Sequence, residues 1–264
     1  MLSKLLPTAF QVIAFADNNP PMDIPAITAE EAVLRAPDFI WIAVINRESR
    51  EEIRAQLLGL GYRGEIHTLN ELISICDPRL ATLKLLASQM ERMPIHGAVA
   101  ELGVYQGAFA KEISACFAKR RFYLLDTFTG FASQDVQIES GCSFSRARCG
   151  DFANTSWNTV KETLPHPELA IPCIGYFPET IKHIPDDESF AFVSLDADLY
   201  QPTLEGLRFF YPRLNVGGAL LIHDYNSMQF GGVRSAVDEY CAEHGLAITP
   251  VCDLHGSAVL MKYA

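Results

Sequence analysis

Short uninterrupted apolar runs recur along the chain from about residue 97 onward. After most of them, apolar residues return every three to four positions. The runs at 97–104, 122–126, 171–175, 190–196 and 218–224 predict strands buried on both faces, as a parallel sheet requires. Between them, Phe109, Ile113, Cys116 and Phe117 share one helical face, and Leu204, Leu207 and Tyr211 share another. A helix over 232–243 places Val233, Ala236, Val237 and Tyr240 together. Two late runs, near 246–252 and 257–263, have no helix between them and can pair antiparallel through the turn at 253–256. Repeated strand–helix alternation predicts an α/β fold with a doubly wound, Rossmann-like sheet.

The first 75 residues repeat this rhythm on a smaller scale. Residues 10–15 read as an apolar strand ending in the turn cluster 16–20. Residues 39–45 (FIWIAVI) read as a second strand, apolar on both faces. A helix over 47–60 follows, with Ile53, Leu57 and Leu60 on one face and Gly61 as its C-cap. Residues 64–69 read as a third strand. This small N-terminal α/β unit, 1–75, has no glycine-rich loop after its first strand. It is either a docking or dimerisation module or a pocket for part of a substrate. Residues 76–91 form the joint, where a helix starting at Asp77-Pro78 lines up Leu83, Leu86, Ala87 and Met90. The second unit then spans 76–264.

Composition narrows the function. The chain has 264 residues and a net charge of -11, with Lys119-Arg120-Arg121 as its basic triplet. Nucleic-acid backbones are bound by clustered Lys and Arg that release counterions, so a nucleic-acid partner is disfavoured. The apolar runs fall short of the ~18–20 residues a membrane-spanning helix needs. Seven scattered cysteines without a C-x-x-C fit a reducing compartment, and a cytoplasmic protein is expected.

Ligands of open α/β sheets sit beyond the carboxyl ends of the strands. The first strand of the second unit ends in Glu101-Leu102-Gly103-Val104-Tyr105-Gln106-Gly107, where Gly103 and Gly107 let backbone approach a ligand. Glu101 suits an amine-bearing group such as the methionine part of S-adenosylmethionine (SAM). The next strand ends in Asp126-Thr127, with Asp126 nineteen positions after Gly107. An acid there is placed to accept ribose hydroxyls, or else to cap a helix. Two further strand ends supply Asp196, Asp198, His223 and Asp224. Carboxylates packed this closely call for a cation, and a hard divalent ion such as Mg²⁺ is the default. The ion could clamp substrate oxygens and lower a hydroxyl pKa, with Asp198 or His223 accepting the proton. Otherwise the acids cap helices or one stays protonated.

At these residues the chain resembles the macrocin O-methyltransferase-like enzymes. The stretches that carry the resemblance are AELGVYQGAFA, LLDTFTGF, GDFANTSWNTVKETL, GYFPETI, FVSLDADLYQPTLEGLRFFYPRLNVGGALLIHDYNS and GGVRSAVDEY. The resemblance implies a class I SAM-dependent methyltransferase fold, with O-methylation of a sugar hydroxyl on a small molecule, assisted by Mg²⁺. It places Glu101, Gly103 and Tyr105 in the SAM-binding turn, together with Gly107. It puts Asp126 at the ribose, with Thr127 beside it, and Thr155 and Ser156 in a SAM-lining segment. Asp196 and Asp224 fall on metal positions, Asp196 also bordering the cofactor, and Asp198 falls where a related enzyme type has its general base.

One position departs from the resemblance. An acid is usual where this chain has His223. Imidazole suits Zn²⁺, Fe²⁺ or Mn²⁺ better than Mg²⁺. So the metal differs, His223 has left the metal to act as base, or the metal is weak or absent; Mg²⁺ or Mn²⁺ is the first expectation. A metal-dependent hydroxylase and a non-catalytic SAM or nucleoside binder are the competing readings. Acceptor pockets are expected in loops at 132–165 and 225–232, with Phe131, Phe144, Trp157, Tyr200 and Phe230 as lid aromatics or ordinary packing. A homo-oligomer is plausible from the apolar N-terminal unit.

Overall fold

The computed structural model describes residues 14, 16, 26–44, 46–68, 77–253 and 255–263. The strand expected at 10–15 lies outside these, except for Ala14, which joins no strand. The chain divides into two compact units, Met1–Asp77 and Pro78–Ala264.

In the first unit, α1 (Ala29–Leu34) starts at a reciprocal capping box. Thr28 Oγ1 accepts the Glu31 N–H, and the Glu31 carboxylate accepts the Thr28 N–H at 3.0 Å. Then come β1 (Phe39–Ile42), α2 (Arg47–Gly59) and β2 (Glu65–Thr68), with β1 and β2 parallel. Gly61 takes φ +89° just past α2, as the C-cap reading required. The expectation that the FIWIAVI run is buried on both faces is corrected: within β1 only Ile42 is buried. Among the described residues the sheet has two strands, and its core is built on Ala29, Ile42, Leu57 and Tyr62, too little to cover both faces.

The second unit holds a seven-stranded sheet. Its elements are α3 (Pro78–Arg92), β3 (Ala98–Leu102), α4 (Ala108–Cys116), β4 (Phe122–Asp126), α5 (Ser133–Gly141) and α6 (Trp157–Thr163). They continue with β5 (Ala170–Ile174), β6 (Phe190–Leu195), α7 (Tyr200–Arg213), β7 (Leu214–Ile222), α8 (Gly231–His244), β8 (Thr249–Pro250) and β9 (Ala258–Met261). The strand order is β5-β4-β3-β6-β7-β9-β8. The first five are parallel, while β9 runs antiparallel to both β7 and β8. The order reverses between β3 and β6, which is where an open α/β sheet opens its ligand crevice.

Alternate residues of β3 feed two cores. Ala98, Ala100 and Leu102 join Phe190, Phe210 and Tyr240 on the face covered by α7 and α8. Val99 joins Leu83, Met90, Ile113 and Phe192 on the face covered by α3 and α4. Burying a Leu or Phe side chain contributes roughly 1.5–3 kcal/mol, so these two layers hold the strand ends rigid.

The expected loop over 132–165 contains two helices, α5 and α6. The pattern of apolar residues misses α5 because its buried positions are acids, Asp135 and Glu139. Asp135 accepts the Tyr176 hydroxyl at 2.8 Å. Glu139 accepts the Tyr200 N–H at 2.7 Å and the Ser145 hydroxyl at 2.6 Å. The aromatics named as lids or packing all make ring or core contacts, and Phe230 alone among them is buried. Phe131 contacts it edge-on at 6.3 Å, and Phe144 lies 5.4 Å from Tyr200. Trp157 packs on the α3/α4 side core. The six described cysteines are free thiols. Among the described residues, no helix is long and apolar enough to cross a membrane.

Candidate active site

The turn after β3 is assembled from backbone. Gly103 has φ +85°, and a side chain there would collide with the carbonyl of Asp196 at the end of β6. Tyr105 is held at φ +50°, and Gly107 at φ +79° begins α4. Asp126, at the end of β4, braces this turn. Its Oδ2 accepts the N–H groups of Val104 at 2.7 Å and Tyr105 at 2.8 Å, and its Oδ1 accepts that of Phe128 at 2.7 Å. So Asp126 stitches the β3 and β4 turns together rather than capping a helix.

The remaining residues of the expected cofactor segment sit around this brace. Thr155 Oγ1 donates to the Tyr105 carbonyl, and the Tyr105 hydroxyl donates to Asn154 Oδ1 at 2.9 Å. The residue 154–155 stretch is thereby laid against the turn. Ser156 is the N-cap of α6, accepting the Thr159 N–H at 3.2 Å. Thr127 donates to the Gly130 carbonyl at 2.9 Å and lines a cavity of about 430 Å³ with Phe131, Gln134, Gly175 and Tyr176.

Glu101 is 1% exposed, and its Oε2 has no hydrogen-bond partner among the described residues. Burial pushes its carboxyl well above the ordinary range; nearby Arg79 opposes the shift and Asp196 adds to it. A buried acceptor without a donor fits a group that brings its own N–H and positive charge.

At the ends of β6 and β7, donor atoms of Asp196, Asp198, His223 and Asp224 all lie within 4.8 Å of one another. Nδ1 of His223 is 3.0 Å from Asp196 Oδ1 and 3.0 Å from Asp224 Oδ2. Asp198 and Asp224 both carry left-handed backbone, φ +59° and +56°. Such strain in non-glycine residues clusters at functional sites. Burial lowers the His223 pKa, but Asp196 opposes it, and the outcome is a rise to about 10. Asp196 goes the other way: burial raises its pKa, and the facing His223 and Arg79 charges more than reverse this. Asp198 is raised well above the ordinary range by burial and then by Asp196 and Asp224. Three carboxylates and one imidazole form a mixed oxygen–nitrogen donor set. That set fits a divalent ion tolerant of nitrogen better than it fits the oxygen-only habit of Mg²⁺.

Two residues here escaped the sequence reading. Arg79, in the first turn of α3, is buried and donates through Nη2 to Asp196 Oδ2 at 3.0 Å and to Ser194 Oγ at 3.3 Å. Its guanidinium lies 3.8 Å above the Phe109 ring. A signal existed: Arg79 continues the apolar stripe of Leu83, Leu86 and Met90, where a solvated arginine has no place. His255, in the turn before β9, packs its ring 4.9 Å from that of His223. Its only signal was the turn itself.

The sheet order, the crevice at β3 and β6 and the braced glycine turn define a methyltransferase of the class I fold. Two solved structures share that fold. One is the O-methyltransferase NovP, at TM-score 0.57 and 21% identity, covering 71% of this chain and 80% of that one. The other is CalS11, a calicheamicin methyltransferase, at TM-score 0.55 and 17% identity, covering 88% and 91%. The chain belongs to the Macrocin-O-methyltransferase (TylF) family, whose profile matches residues 67–262. It is therefore an O-methyltransferase. The mycinamicin III 3''-O-methyltransferase of Micromonospora griseorubida is 28% identical over 222 residues, 80% of this chain and 84% of that protein. A tetracenomycin-C rhamnosyl 4'-O-methyltransferase of Streptomyces olivaceus is 32% identical over 89 residues, 34% and 32% of the two chains.

Proposed function

We propose that this enzyme transfers the methyl group of SAM to a hydroxyl of a sugar or glycosylated small molecule, with a divalent cation at the β6/β7 strand ends. The observation that carries the reading is the convergence of the braced turn, the orphaned Glu101 and the Asp196 cluster on one crevice. The rhamnosyl group in the name of one relative supports a sugar acceptor.

SAM supplies a sulfonium-bound methyl group, and the cation supplies Lewis acidity toward the acceptor oxygen. Glu101 accepts from the cofactor's amine end. Gly103, Tyr105 and Gly107 shape the turn along it. Asp126 keeps lone pairs beyond its three backbone bonds for ribose hydroxyls, and Thr127, Thr155 and Ser156 flank this subsite. Asp196 and Asp224, with His223, would hold the cation, and Asp198 would take the acceptor's proton. Methyl transfer is an in-line displacement, so fixed positioning supplies much of the rate. The residues named in this reading all lie in the second unit.

Isothermal titration with SAM tests the reading first, followed by a screen of glycoside acceptors with mass detection. Micromolar binding and a gain of one methyl on an acceptor hydroxyl are expected. Absence of SAM binding with and without divalent ions would overturn it.

A further inference from the structure

The cation seat is not symmetric in its chemistry. Two ligands placed at right angles about 2.1 Å from one ion lie about 3.0 Å apart. Nδ1 of His223 stands at that distance from an oxygen of Asp196 and from an oxygen of Asp224. A ring nitrogen carries a single in-plane hydrogen or lone pair. Without an ion, one N–H shared between the two carboxylates accounts for both distances; with an ion on the lone pair, the same three atoms would converge on it.

The surroundings fix this triad from outside. Arg79 occupies Oδ2 of Asp196, which leaves Oδ1 to face inward. The His255 ring lies against His223 at a tilt of 36° and restrains its rotation. Partners that orient metal ligands in this way tune affinity as well as geometry. Mg²⁺ takes oxygen ligands and sheds water reluctantly, while imidazole suits first-row transition ions.

We propose that the seat formed by Asp196 Oδ1, His223 Nδ1 and Asp224 Oδ2 selects a divalent first-row transition ion over Mg²⁺, with His223 as the selecting ligand. This deepens the functional reading above and rests on its assignment of these side chains to a cation.

The test is Mn²⁺ binding by the full chain, followed by electron paramagnetic resonance, with Mg²⁺ as competitor. Mn²⁺ avoids the confusion that thiophilic ions would meet at the free cysteines. The native protein should bind Mn²⁺ at least tenfold more tightly than Mg²⁺. His223→Asp, and independently His223→Asn, should lower that ratio at least fivefold, with circular dichroism confirming the fold. A native ratio below threefold, a ratio unchanged in either folded variant, or no Mn²⁺ binding at all would overturn the proposal. If neither variant folds, the native ratio decides alone. A separate SAM titration, run with and without divalent ions, distinguishes the two readings, because failure in both strikes the functional reading above and leaves the ion ranking standing.

Discussion

Arg79 and Asp196, 117 positions apart in sequence, meet through Nη2 and Oδ2 at 3.0 Å. The contact ties the first turn of α3 to the end of β6 through a member of the acidic cluster itself. Breaking such a buried pair strands the remaining charge. Arg79→Met should destabilise the fold by about 3 kcal/mol, and Arg79→Lys by less. Urea denaturation of the three proteins gives the comparison, and equal midpoints for native and Arg79→Met would refute a structural pairing.

Glu101 gives a pH signature. Its pKa is raised well above 4.5 in the fold, so its stabilising share is complete below 4.5 and is lost as pH climbs through the folded value. Glu101→Gln removes that loss. The variant should melt higher than the native protein at pH 7 and 8, with the gap shrinking toward pH 4.5. Its SAM affinity should nonetheless fall, about tenfold or more, because a donor amide now faces the cofactor's amine. Melting curves across this range and one titration separate the two effects.

Asp126→Ala should weaken SAM binding by at least tenfold, through lost ribose contacts and a slackened turn. Asp126→Asn keeps the size and one acceptor oxygen, so it should lie between. Titration calorimetry reads both, and native affinity in the alanine variant would exclude Asp126 from the cofactor site.

A methyl group at Gly103 has nowhere to go, since the Asp196 carbonyl fills the space and φ is +85°. Gly103→Ala should therefore cost both melting temperature and SAM binding. A variant that melts and binds like the native protein would show that the β3 and β6 turns do not touch in solution.

Asp198→Asn should leave SAM affinity within about threefold and lower kcat by about a hundredfold or more, the usual scale for a lost general base. Single-turnover assays with the identified acceptor would show it. An unchanged kcat would move the base elsewhere.

Much of this architecture is legible in the sequence because parallel strands buried on both faces are continuous apolar runs. Runs such as 122–126 and 190–196 match β4 and β6 nearly residue for residue. The acidic cluster was legible for the same reason: strand ends are easy to find, and the residues just past them are Asp196, Asp198, His223 and Asp224. The failures have a common cause. Helix α5 hides its inward face behind Asp135 and Glu139, which only tertiary partners satisfy. Arg79 and His255 act through contacts with distant strand ends; the helical stripe marks Arg79 as inward-facing, but no local spacing names its partner Asp196 or brings His255 to His223. Strand β1 misled in the opposite direction, because an apolar run does not say whether enough chain exists to cover it.

The contact between Gly103 and the Asp196 carbonyl sets a length scale for the chemistry. One turn carries the proposed donor and the other the proposed acceptor-activating group, and main chain touches main chain between them. The spacing across which the methyl group travels is then written into two strand ends rather than into adjustable side chains. Segments nearby in the chain, such as α5 and the 225–230 turn, can change to admit a different acceptor without altering that spacing. Acceptor range and reaction geometry thus become separately variable on one scaffold.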